Sequence, residues 1–307
     1  MRSLLAAASL LAIFGAGALA QPMVVCTTTI ISDVVSLIAG EAVDVRTLLP
    51  IGADPHSFEA TPQDLVLLSE ATAIFSNGAE LEAGLEPILE SVDVPLIALT
   101  DGLDLLPAEE EDHETEQNAE VNDEHDEHGE YDPHVWLDPT YVAAWTHTIE
   151  RELNALAPTL AEEISARAEA YRESLSHLDA WVMSTVADVP ADRRSLVTDH
   201  LVFAYFAARY GFTQAGAVLP SATTAADPSA RELAELMDGI RELNVSVIFT
   251  GETVASSLVE QVAQDTGTNL VYLFIGSLSA PSGPAGSYVD LIRYDVQAMV
   301  DALLDSP

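Results

Sequence analysis

The chain has 307 residues, more than the ~100–200 usual for one domain, which predicts two domains or one large α/β unit. Its composition, 49 % apolar and 20 % charged, excludes a disordered chain and supplies a core. Fifty acids stand against eleven arginines and no lysine, a formal net charge of −39. That balance excludes nucleic acid as a partner and opposes docking on anionic lipid, leaving small cations as the natural electrostatic partners. Cys26 is the one cysteine, so a disulfide framework and a thiolate zinc cluster are both excluded. A metal site here must be built from His, Asp and Glu.

Residues 1–20 read as a cleaved secretory signal. Arg2 precedes an apolar stretch from Leu4 to Gly17, and Ala18-Leu19-Ala20 before Gln21 satisfies the small-x-small rule. The stretch falls short of the ~20 residues that span a bilayer. No cysteine stands where a lipid anchor would need one, so the product is expected in the periplasm, soluble and monomeric.

From Met23 onward, short apolar runs alternate with amphipathic stretches. Strands are predicted at Met23–Thr27, Val43–Leu48, Ala73–Ser76 and Leu96–Leu99, with helices at Ile30–Ala39, Gln63–Glu70 and Leu81–Glu90. This βαβ rhythm predicts a mainly parallel sheet flanked by helices. Between Glu109 and Asp132 lie 13 acids and three histidines (His113, His125 and His128) with almost nothing apolar. Such a stretch cannot pack a core and is read as a loop, 108–132, inside an N-terminal lobe spanning 21–150. Apolar or small residues then recur at 160, 164, 168, 171, 175, 178, 182 and 186, one face of a helix ~40 Å long. This linking helix, 155–187, leads to a C-terminal lobe, 188–307. There, strands are predicted at Ser195–Thr198, Gln214–Val218, Val245–Phe249 and Leu270–Leu273. Helices are predicted at Leu201–Tyr210, Ala230–Leu243, Ser256–Thr266 and Val289–Leu304. The expected architecture is two α/β lobes joined by one long helix.

Three histidines stand in unusual settings. Asp54-Pro55-His56 and Asp132-Pro133-His134 each place a histidine directly after Asp-Pro, where proline restrains the local backbone. The aspartate in each is expected to accept the second ring N–H and fix the tautomer. Asp199-His200 falls at a strand-to-helix junction, the end of a parallel sheet where ligands bind. Each histidine taken alone would pass for a capping or surface residue; the three together point to a metal. His147 and His177 lie in predicted helices without such a setting and are read as structural.

With these motifs the mature chain resembles, along essentially its whole length, the zinc and manganese solute-binding proteins of bacterial ABC transporters. The resemblance rests on GADPHSFEATPQD (52–64), DPHVWLDP (132–139), TDHLVFAYFAARYG (198–211), the long helix, and GSYVDLIRYDVQAMVDAL (286–303). It implies two rigid lobes with one metal ion between them, held by His56, His134, His200 and a fourth ligand. The usual fourth position is an Asp after the last strand, but Gly276 stands there. Gly251 likewise replaces a common Glu, with Glu252 beside it. Asp227, in the small-residue loop Ser221–Ser229, is the leading replacement and Glu252 a lesser one, with a water or the acid-rich loop as the remaining candidates; Asp227-Pro-Ser229 is equally a good helix start.

Histidine at the third position favours zinc over manganese. The resemblance therefore implies a receptor that captures Zn²⁺ as cargo and delivers it to an inner-membrane ABC permease. The ATPase is a separate chain, since no Walker motif is present. A periplasmic zinc metallochaperone is a further candidate partner, and the loop histidines 113, 125 and 128 are candidate auxiliary ligands that collect zinc. Affinity is expected to fall with pH because imidazole must be neutral to coordinate. Two alternatives are a manganese receptor and a zinc hydrolase with an open three-His site. No HExxH pair or nucleophile elbow supports the hydrolase, so the chain is read as not an enzyme.

Overall fold

A computed structural model describes residues 21–108, 130–219, 221, 223–224, 228–243, 245–252 and 257–305. In chain order the first lobe contains β1 (Met23–Cys26), α1 (Thr29–Ala39), β2 (Asp44–Thr47), α2 (Pro62–Glu70), β3 (Ala73–Ser76), α3 (Glu86–Ser91) and β4 (Leu96–Ala98). Helices α4 (Pro139–Leu156) and α5 (Ala161–Val186) follow. The second lobe contains β5 (Ser195–His200), α6 (Ala204–Tyr210), β6 (Thr213–Leu219), α7 (Ala230–Glu242), β7 (Val247–Gly251), α8 (Ser257–Thr266), β8 (Asn269–Leu273) and α9 (Tyr288–Asp305).

Each lobe is a four-stranded sheet whose paired strands all run parallel, in the orders β2-β1-β3-β4 and β6-β5-β7-β8. In both, the chain leaves its first strand to one side and returns on the other. That opens a crevice at the carboxyl ends of β1 and β3, and of β5 and β7. The inner strands are covered on both faces: Val24, Val25, Cys26, Ile74, Phe75, Ile248 and Phe249 are all buried.

Local chemistry sets the helix ends. Thr28 caps α1 by accepting from the Ile31 amide, and Gly40 ends the helix at φ 57°, a conformation that costs a side-chain-bearing residue more. Thr61 and Asp64 form a reciprocal capping box on α2, with Pro62 opening the first turn. The helix expected over Leu81–Glu90 is instead a 3₁₀ turn, Ala83–Leu85, followed by α3. Pro87 has no N–H to give to a preceding turn, so it marks a new helix start.

Helix α5 buries Ile164, Ala168, Tyr171, Leu175, Leu178, Val182 and Val186, the stripe expected from the sequence. It packs on α1 and α4 of one half and on α6 and α9 of the other. One continuous apolar core joins the inner faces of both sheets across α5, from Val24 to Leu303, and two smaller clusters cover their other faces. Polar stitches cross between the lobes beside it. The Tyr288 hydroxyl donates to the Trp136 carbonyl (2.7 Å), and the Trp136 indole donates to the Ile275 carbonyl (2.9 Å). The Leu278 amide donates to the Thr29 hydroxyl (2.9 Å). Among the described residues no helix is long and apolar enough to cross a membrane.

Candidate metal centre

The three histidines singled out above converge between the lobes. Nε2 of His134 lies 3.1 Å from Nε2 of His56 and 3.3 Å from Nε2 of His200. Their ligand nitrogens all fall within 4.8 Å of one another. His200 is the last residue of β5, at the mouth of the second sheet's crevice. His134 follows the acid-rich segment and opens a 3₁₀ turn over Val135–Leu137, and His56 sits in the loop after β2.

Two of the three rings are fixed by carboxylates. Asp132 Oδ1 accepts from both the backbone amide and Nδ1 of His134, each at 2.8 Å. Asp199 Oδ1 does the same for His200, at 2.7 and 2.6 Å. The second Asp199 oxygen accepts from the Thr250 hydroxyl (3.1 Å) and the Gly251 amide at the end of β7. With Nδ1 protonated, both rings turn an Nε2 lone pair inward, and the two lone pairs face each other across 3.3 Å. A shared cation would turn that repulsion into coordination.

Asp54 behaves differently from expectation. Its Oδ1 accepts from the His56 amide (3.0 Å), and its Oδ2 accepts from the hydroxyls of Ser57 (3.0 Å) and Thr224 (2.5 Å). Those three donors occupy the carboxylate, which therefore shapes the loop instead of orienting the ring.

Burial dominates the electrostatics. It pushes His134 well below the usual imidazole range, reinforced by His200, and lowers His56 likewise, with both neighbouring imidazoles adding to the effect. Burial raises the Asp132 carboxyl to about 7. Burial would also raise Asp199, yet the His200 imidazole and the donors from Gly251 and His200 hold it below the usual carboxylate range.

The remaining predicted residues are placed as follows. Glu252 is exposed, outside the imidazole cluster, on a cavity of about 300 Å³ also bordered by Ile51, Gly52, Phe274 and Ile275. Asp227 and His113, His125 and His128 lie outside the described residues, as do residues 1–20. Thr224, three positions before Asp227, bonds Asp54 in the His56 loop. Among the described residues no carboxylate oxygen joins the three imidazoles. His147 and His177 are exposed on α4 and α5.

Sequence reasoning missed the residues that hold the ligand loops from behind. Buried Glu82 accepts from the Thr27 hydroxyl and from the Asn77 and Gly78 amides, filling the first sheet's crevice. Asn77 then donates to the Pro133 carbonyl (3.0 Å), next to His134. A polar Ser76-Asn77-Gly78 at the end of a buried strand was the available signal.

Two parallel-sheet lobes, bridged by a long helix and meeting at three converging imidazoles, define a two-lobed metal-binding protein. Residues 24–302 match the ZnuA family, described as zinc-uptake complex component A, periplasmic, and the chain belongs to this family. Its members are binding components, which sets the hydrolase alternative aside. The manganese-binding lipoprotein MntA of Halalkalibacterium halodurans is 28 % identical over 91 % of this chain and 88 % of its own. The iron-binding protein YfeA of Yersinia pestis is 31 % identical over 90 % and 84 %. The solved structure of the periplasmic zinc-binding protein TroA from Treponema pallidum superposes with a TM-score of 0.79 at 27 % identity, covering 92 % of this chain and 99 % of its own. The relatives thus carry the names of three different metals on one fold.

Proposed function

We propose that this protein captures Zn²⁺ as cargo outside the cytoplasm and delivers it to an ABC-type permease driven by a separate ATPase. The observation that carries the choice of metal is the donor set: three converging imidazoles, two of them locked by carboxylates. Neutral imidazole suits zinc, whereas manganese is favoured by carboxylate oxygen. At Zn–N distances of ~2.0–2.1 Å, nitrogens 3.1 and 3.3 Å apart subtend roughly 100° at the ion, close to tetrahedral.

We assign the fourth position to Asp227. Thr224, three positions before it in sequence, bonds Asp54 in the His56 loop, and a carboxylate would offset half of the ion's charge. His113, His125 and His128 are assigned to zinc collection ahead of the site, since their segment runs straight into His134.

A competition titration of the metal-stripped protein against a chromophoric chelator tests this reading. One zinc per chain, bound at least a hundredfold more tightly than manganese and weakened by Asp227→Ala, is the expected result. Preference for manganese would make the protein a manganese receptor. Zinc affinity indifferent to Asp227→Ala would remove that residue from the site.

A further inference from the structure

The acid-rich segment leaves and re-enters the fold through a short stem. Pro107 and Tyr131 form an antiparallel bridge, the Ala108 amide donates to the Glu130 carbonyl (3.2 Å), and the Asp132 amide donates to the Leu106 carbonyl (2.9 Å). One side chain from the other lobe reaches both sides of this stem. Tyr205, in the first turn of α6, accepts at its hydroxyl from the Leu106 amide (3.0 Å) and donates to the Asp132 carbonyl (2.8 Å). Tyr205 is 2 % exposed and its ring packs edge-on against Tyr141 at 4.9 Å. Burial raises its phenol above the ordinary range, so it remains a donor at physiological pH.

We propose that Tyr205 is a positioning residue of the capture site: its hydroxyl, from the segment that carries His200, fixes the Asp132 carbonyl and so the angle at which Asp132 presents His134. This rests on the metal-capture reading above. Asp132 holds His134 at two atoms, so rotation of its peptide plane moves the imidazole. Pro133 restricts that rotation from one side, and Tyr205 holds the carbonyl itself. Without the hydroxyl the buried carbonyl loses its partner, a cost relieved only by shifting the loop.

Tyr205→Phe removes the two hydrogen bonds and keeps the ring. Tyr141→Phe is the matched control, because the Tyr141 hydroxyl bonds the Asp104 carbonyl (2.6 Å) and not the His134 loop. Zinc affinity and the visible ligand-field bands of the Co²⁺-loaded protein are the readouts. Tyr205→Phe is expected to weaken zinc about tenfold and to shift the Co²⁺ bands, with Tyr141→Phe matching wild type in both. Wild-type affinity and bands in folded Tyr205→Phe, or equal losses in the two variants, would overturn the proposal. If Tyr205→Phe does not fold, hydrogen exchange of the Leu106 amide in the wild-type protein decides: zinc loading is expected to slow it, and an unchanged rate overturns the coupling. A wild-type protein that takes up neither zinc nor Co²⁺ would instead overturn the capture reading, and this inference with it.

Discussion

His134 and His200 enter the site with one ring nitrogen already committed to a buried carboxylate, whereas His56 enters with its aspartate turned toward backbone and hydroxyl donors. The first two are buried and the third is half-buried. The loop of His134 is also held through three successive outside contacts: Tyr205 on Asp132, Asn77 on Pro133 and Tyr288 on Trp136. His56 depends on its own turn, on Thr224 and on the Gly52 amide bonded to Ser277 (2.9 Å). The difference teaches that ligand geometry is prepared unequally. Two imidazoles are oriented before cargo arrives, and the third is oriented by the order of its loop.

The sharpest way to break this comparison is to remove the ligands one at a time. Structural zinc sites carry ~10–16 kcal/mol over four ligands, so by that scale one ligand is worth ~10²–10³-fold in affinity. His134→Ala and His200→Ala are expected to lose that much by competition titration. His56→Ala is expected to lose about tenfold less than either. Equal losses for all three would erase the distinction.

The carboxylates come next. Asp132→Asn and Asp199→Asn are expected to weaken zinc by ~10–100-fold, because each loses its charge beside an imidazole Nδ1. Asp54→Asn, whose carboxylate meets only amide and hydroxyl donors, is expected to cost less than tenfold.

Acidity sharpens the same contrast. His56 and His134 are held well below the usual range by burial and neighbouring imidazoles, which favours the neutral form that coordinates. Asp132, raised by burial to about 7, brings a proton of its own. A bound dication favours its ionised form, and below that value loading must expel a proton. The log of zinc affinity is expected to fall by up to about one unit per pH unit from 7 to 5.5. Asp132→Asn is expected to flatten that slope.

The smallest effect lies away from the site. Asp295 on α9 accepts from the Phe274 amide (2.9 Å), its other oxygen is unpartnered, and burial raises it to about 8. Its protonated form is the one the fold tolerates, so the stability it contributes is full below the ordinary carboxylate value and is lost as pH rises from there to about 8. Asp295→Asn is expected to raise the melting temperature by ~2–4 °C at pH 9, to change least at pH values below the ordinary carboxylate range, and to leave zinc affinity alone.

Much of this was legible in the chain. The α5 stripe announced itself because every third or fourth residue meets the core. His56, His134 and His200 stood out because proline or a strand end fixes the backbone around each. The parts that were not legible depend on partners distant in sequence. Nothing local in Tyr205 distinguishes it from the aromatic residues around it, since its partners lie 99 and 73 positions away. The break in the Leu81–Glu90 helix was visible in Pro87. Its use was not: Gly84 lies where a side chain would meet the Phe58 carbonyl at 3.2 Å, two residues beyond His56.

X-ray absorption at the zinc edge of the loaded protein tests the central claim most directly. Three imidazole shells and one oxygen at ~2.0–2.1 Å, with one imidazole lost in His134→Ala, is the predicted spectrum. A first shell of oxygen alone, or one unchanged in His134→Ala, would contradict it.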